Sequence, residues 1–127
     1  MSSSLRINEL VEKSKDSKFR GNLDKPDISC DGNNPSCGDS LTMEAKVDGG
    51  RFSKVRFTGQ GCVISQAAAS LLAEFLTGKP LRDILELSGD DMAEMLELDL
   101  GPTRMRCATL GLASLRDATK KFLNEQK

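Results

Sequence analysis

The sequence predicts an α+β fold in which a small antiparallel β-sheet packs against several helices. Three observations lead there. Residues 39–48 alternate apolar Leu41, Met43, Ala45 and Val47 with polar Ser40, Thr42, Glu44, Lys46 and Asp48, the period of a half-buried strand. Asp48-Gly49-Gly50 follows at once, a hairpin signal. From Ser65 onward the apolar residues recur every three or four positions, the period of helices. Strands followed by helices, with no internal repeat, give the α+β class. A length of 127 residues suits one compact domain spanning 1–127.

The elements can be justified in order. Residues 4–16 read as a short amphipathic helix, with Ile7, Leu10 and Val11 on one face and Glu9, Glu12 and Lys13 elsewhere. Residues 16–38 are rich in Gly, Asn, Asp, Pro and Ser. They read as a long loop, with room for a short third strand near residues 26–30. The strand at 39–48 returns over about 51–58, with Val55 and Phe57 on one face. Gly59-Gln60-Gly61-Cys62 reads as a turn, and Ser65 as the cap of a helix carrying Ala68, Leu71, Leu72 and Phe75. That helix stops at Gly78-Lys79-Pro80. Leu81, Ile84 and Leu85 predict a short second helix. Ser88 with Asp91 predicts a capped third, with Met92, Met95 and Leu96 inward. Pro102 suits the first turn of a last helix that buries Ala108, Leu112, Leu115 and Phe122.

Composition narrows the chemistry. The formal net charge is −1, from 18 basic and 19 acidic side chains, which gives no electrostatic footprint for nucleic acid. No apolar run reaches the length of a membrane span, and the first residues lack the apolar core of a signal peptide. A soluble cytoplasmic protein is expected. There is no His, Trp or Tyr. Ser–His and Cys–His nucleophile pairs and His-ligated metals are thereby excluded. Thiols, carboxylates, amines and guanidiniums remain.

The four cysteines are Cys30, Cys37, Cys62 and Cys107. In a reducing compartment they are thiols rather than two disulfides. Their spacing is not that of a zinc ribbon, but their places in the layout converge. Cys37 precedes the first hairpin strand and Asp39 follows two residues later, so the two side chains can face one way. Cys62 follows the return strand, and a hairpin brings those two ends together. Cys107 falls in the first turns of the last helix, where the helix dipole and Arg104 and Arg106 favour a thiolate. Three thiolates and a carboxylate suit tetrahedral zinc, and equally an iron–sulfur unit. Cys30 reads as an incidental loop thiol.

NPSCGD (34–39), GQGCVIS (59–65) and RMRCATL (104–110) resemble, in order, the motifs of the U-type iron–sulfur scaffold family, which includes IscU, the N-terminal part of NifU, and SufU. The resemblance covers about residues 5–125. It implies a SufE/NifU-like α+β domain and a scaffold, not an enzyme in its own right, that accepts sulfur from a PLP-dependent cysteine desulfurase. On such a scaffold a transient cluster of the 2Fe–2S type is built and passed to apo-proteins. The family's metal ligands map onto Cys37, Asp39, Cys62 and Cys107. Its persulfide acceptor maps onto Cys107 in the IscU branch and onto Cys62 in the SufU branch. Arg104 and Arg106 are expected to support the site from behind the ligands.

The chain departs from both branches. IscU proteins carry a His where Arg106 stands, and Arg is no metal donor. Leu100-Gly101-Pro102-Thr103-Arg104 replaces the LPPVK segment presented to an Hsp70-type chaperone, so that partner is not carried over. Arg104 and the CATL run are SufU-like, but the SufU insertion between the second and third cysteines is missing. Three functions are therefore weighed: a cluster scaffold, a zinc-dependent sulfur carrier, and a structural zinc domain without sulfur chemistry.

Overall fold

The computed structural model describes residues 8–10, 12, 18–34 and 38–125. Its sheet is a three-stranded antiparallel meander, β1 (Ile28–Asn34), β2 (Asp39–Asp48) and β3 (Arg51–Gln60), in the order β1-β2-β3. A helical layer follows in sequence: α1 (Val63–Leu76), a 3-10 turn (Leu81–Glu86), α2 (Gly89–Leu96) and α3 (Pro102–Glu125). The predicted class is therefore the observed one.

The hairpin forms as its sequence requires. Leu41, Met43 and Ala45 turn inward and are buried, and Asp48 pairs with Arg51 across a two-residue loop. Gly49 and Gly50 both hold positive φ (60° and 77°), as the favoured hairpin turn demands. A register shift between Lys46 and Val47 lets Phe52 and Val55, three apart, face the core together. β3 runs to Gln60, so Gly59 and Gln60 belong to the strand and not to a turn.

The segment read as a long loop is more ordered than predicted. β1 pairs with β2 over its whole length, from Ile28↔Ala45 to Asn34↔Asp39. Its inward positions are Ile28, Cys30, Gly32 and Asn34, only one of them a large aliphatic residue, so the period-two signal was faint. Gly32 sits there because α3 crosses closely. A Cβ at that position would fall onto Ser114 Oγ and lie 3.2 Å from Leu110. Upstream, Gly21 N–H donates to Phe57 O at 2.8 Å and Phe57 N–H to Phe19 O at 2.9 Å, pinning residues 18–21 to the outer edge of β3.

Residues 8–10 and Glu12 are helical, with Leu10 buried and Glu9 and Glu12 exposed; Ile7, Val11 and Lys13 lie outside the described residues. In α1 the interior row is Ala68, Leu72 and Leu76, which leaves Phe75 37% exposed under the Lys79 ammonium. Residues 81–86 coil as a 3-10 turn that buries Leu81 and Ile84. The Ser88–Asp91 capping box opens α2 as predicted, with Met92 and Leu96 buried and Met95 partly so. Pro102 is the first residue of α3, which buries Ala108, Leu112 and Leu115 and half-buries Phe122. Each fully buried Leu contributes about 1.5–3 kcal/mol of transfer free energy, so this apolar stripe fixes α3 to the sheet. At Gly111 the approach is again close: a Cβ would stand 2.8 Å from Met43 Sδ. One turn before Gly111 is Cys107, and two positions back from Leu41 is Asp39. That crossing delivers α3's second turn to the sheet end where β2 begins.

Candidate metal centre

Asp39 opens β2 with its side chain toward the helices and is 0% exposed. Its Oδ1 accepts the Cys62 backbone N–H at 2.7 Å, and its Oδ2 accepts from the Cys62 thiol at 3.5 Å. A buried carboxylate needs such donors. Cys62 itself is the N-cap of α1, in extended conformation (φ −72°, ψ 160°). The helix thus starts earlier than the predicted Ser65 cap. Ser65 is a buried first-turn residue whose hydroxyl donates to Cys62 O at 3.0 Å. The carboxylate of Asp39 and the thiol of Cys62 both lie at a helix N-terminus, where the dipole favours negative charge.

Glycine at 61 makes this approach possible. Its φ of +134° is rare for residues with a side chain, and a Cβ there would fall onto Asp39 Oδ1. Behind the turn, Arg20 Nη2 donates to Gln66 Oε1 at 2.9 Å while its guanidinium lies over Phe57 at 4.8 Å. Sequence reasoning missed this brace because residues 18–21 were read as loop.

Cys107 is 4% exposed, in the second turn of α3. One oxygen of Asp39 and the sulfurs of Cys62 and Cys107 all lie within 4.8 Å of one another. Sulfurs bound tetrahedrally to zinc at about 2.3 Å stand roughly 3.8 Å apart, so these donors would close on an ion with shifts of about 1 Å. Two soft sulfurs and one harder carboxylate oxygen form a donor set compatible with zinc or iron–sulfur chemistry. Of the four predicted ligands, three are brought together, while Cys37 lies outside the described residues. Arg104 and Arg106 are both exposed at the start of α3.

Cys30 is a strand residue, not the loop thiol the sequence led us to expect, and it stands outside the cluster. Its Sγ donates to Met43 O at 3.6 Å. Burial pushes its thiol up to about 11, with Asp31 and Asp117 adding to the rise against that one hydrogen bond. Asn34 was also missed. It is buried beside Asp39, and its inward position becomes legible only with the register of β1.

A family model described as the NifU-like N terminal domain matches residues 7–127. The chain belongs to the NifU-like N-terminal domain family. Among curated relatives of this NifU-like domain is the iron–sulfur cluster assembly scaffold protein IscU of Thermotoga maritima. The two are 36% identical over 83% of this chain and 85% of that protein. The zinc-dependent sulfurtransferase SufU of Bacillus subtilis is 34% identical over 74% of this chain and 76% of its own. Among solved structures, a candidate SUF-system scaffold from Fervidobacterium islandicum superposes with a TM-score of 0.73. It is 27% identical and covers 93% of this chain and 99% of its own. Among the described residues of this NifU-like domain, no helix is long and apolar enough to cross a membrane.

Proposed function

We propose that this NifU-like chain, as one domain, is an iron–sulfur cluster assembly scaffold. It accepts sulfur from a PLP-dependent cysteine desulfurase, assembles a transient cluster and releases it to apo-proteins. The observation that carries this reading is a fully buried carboxylate gathered with two thiols within 4.8 Å, at the junction of sheet and helices. Cys37, two residues from Asp39, is the proposed fourth donor.

Sulfur transfer needs one thiolate within reach of the donor. Cys62 is half-buried at a helix N-terminus, whereas Cys107 is buried, so Cys62 is the proposed first acceptor and Cys107 the second. The Cys62 thiolate attacks the outer sulfur of the desulfurase persulfide. A new S–S bond forms on Cys62, the old one breaks, and the desulfurase thiolate leaves with its electron pair. This step involves no net oxidation. Reduction of that sulfur to sulfide takes two electrons from an external donor. Two such transfers and reductions, with two irons, then give the cargo, proposed as 2Fe–2S, on Cys37, Asp39, Cys62 and Cys107. The carboxylate is the harder and weaker ligand, which favours release. Arg104 and Arg106 at the N-terminal end of α3 would offset part of the site's negative charge.

The same donors support a second reading, a zinc-dependent sulfur carrier like the Bacillus subtilis relative. Bound zinc would hold the thiols as thiolates. Arg106, which cannot ligate, fits either reading. A purely structural zinc site is disfavoured by an oxygen donor and a half-exposed sulfur.

Anaerobic incubation with iron(II), cysteine, a reductant and a cysteine desulfurase separates these functions. The scaffold reading expects sulfur on the protein and a visible iron–sulfur chromophore. Sulfur uptake with zinc retained and no chromophore would select the carrier. No sulfur uptake at all would leave only the structural site.

A further inference from the structure

Asn34 is only 9% exposed, yet its Nδ2 has no hydrogen-bond partner among the described residues. Leaving an amide donor buried and unpaired costs about 1–3 kcal/mol, and native proteins seldom do so without a reason.

Its position supplies one. Asn34 ends β1 and is the register partner of Asp39. Residues directly opposed in an antiparallel pair project from the same face, with Cβ atoms about 4.5–5.5 Å apart. That face is the buried, helix-covered one. Two residues earlier on β1, Gly32 lies under Leu110 and Ser114 of α3. Passing from Gly32 to Asn34 along the strand, and from Ser114 through Leu110 back to Cys107 along the helix, leads to the same end of the sheet. Asn34, opposite Asp39, is therefore placed at the sheet end where Asp39, Cys62 and Cys107 converge.

Every converging group there is, when ionised, an acceptor. Asp39 already receives the N–H and the thiol of Cys62. We infer that Asn34 Nδ2 donates a hydrogen bond to anionic sulfur held at the Asp39–Cys62–Cys107 site, a contact completed only when the site is loaded. A carboxamide suits this task. It offers N–H without a titrating proton, and a bond to a charged acceptor is about twice as strong as a neutral one. The inference rests on the sulfur-handling reading above.

The test compares wild type with Asn34→Leu, which keeps the approximate shape and removes the donor. Cobalt(II) serves as the probe, because its thiolate charge-transfer absorption reports on the bound sulfurs. Without metal, the variant should unfold at the wild-type temperature or above, since an unpaired donor has been removed. With cobalt(II), its affinity should fall about tenfold and the charge-transfer band should shift. Identical titrations and bands in the two proteins overturn the inference while leaving the function standing. So does a metal-free variant that melts several degrees lower, because the amide then has a partner inside the protein. A wild type that takes up no cobalt through its cysteines overturns the function proposal, and this inference with it. If Leu is not accommodated, Asn34→Ala, which removes the donor without adding bulk, gives the same cobalt(II) readings, and only those are compared because the space it leaves lowers the melting temperature by itself.

Discussion

The carboxylate of Asp39 holds Cys62 twice, accepting its backbone N–H at 2.7 Å and its thiol at 3.5 Å. These residues are 23 positions apart in sequence. The contact therefore ties the start of β2 to the start of α1, and the donor cluster depends on both.

Replacing Asp39 by Ala should have two separable effects. The metal-free protein should lose about 1–3 kcal/mol, because the Cys62 N–H loses its partner. In a domain of this size that is a fall in Tm of several degrees, read by calorimetry. A cluster assembled on the variant should nevertheless persist longer than on wild type, measured as the decay of its visible absorption in the presence of an apo-acceptor. In the proposed scaffold it is the weak oxygen ligand that lets the cargo leave. Complete absence of a cluster in Asp39→Ala would contradict that role.

Gly61→Ala should damage the site more than the fold. Its φ of +134° strains any side chain, and the added methyl would fall onto Asp39 Oδ1. Zinc affinity, measured by competition with a chelating dye, should drop more than tenfold. Gly101→Ala is the control: an added Cβ there meets open space, and its affinity should equal that of wild type.

Cys62→Ser and Cys107→Ser should each weaken metal binding without preventing it at excess metal, since each removes one thiolate from the donor set. They should differ in sulfur transfer. With a desulfurase and labelled cysteine, Cys62→Ser should acquire almost no label, whereas Cys107→Ser should retain label on Cys62. Equal loss in both variants would remove the assignment of Cys62 as first acceptor.

Cys30 should behave as an inert thiol. Because burial raises it to about 11, alkylation by iodoacetamide at pH 8 should spare it in the native state and reach it only after unfolding. The sign of the linkage follows. The folded chain binds this proton more tightly than the unfolded chain, so the stabilisation is complete below the ordinary thiol range. It is lost as pH rises towards about 11. Urea midpoints should fall over that interval in wild type and fall less in Cys30→Ala.

Much of this was legible because the signals were local. The alternation of Leu41, Met43 and Ala45, the paired glycines of the hairpin and the Ser88–Asp91 box each specify their own element. β1 was hidden because Cys30, Gly32 and Asn34 occupy its inward places. Only the ladder to β2 and the crossing of α3 explain those residues. The cap at Cys62 was misplaced to Ser65 because a serine hydroxyl suits either role, and the partner that decides, Cys62 O, becomes visible only in three dimensions. The same holds for the site. Asp39 and Cys62 could be foreseen together from hairpin geometry and Cys107 only on the condition that the last helix packs at that sheet end, but the Asn34 amide could not, since its importance depends on strand register.

The central claim is that Asp39, Cys62 and Cys107 close on one ion. X-ray absorption at the zinc edge of the zinc-loaded protein tests it most directly. Sulfur neighbours at about 2.3 Å with one oxygen at about 2.0–2.2 Å are predicted, the sulfur count falling by one in Cys107→Ser. A shell of oxygens alone, or one unchanged by that substitution, would contradict it.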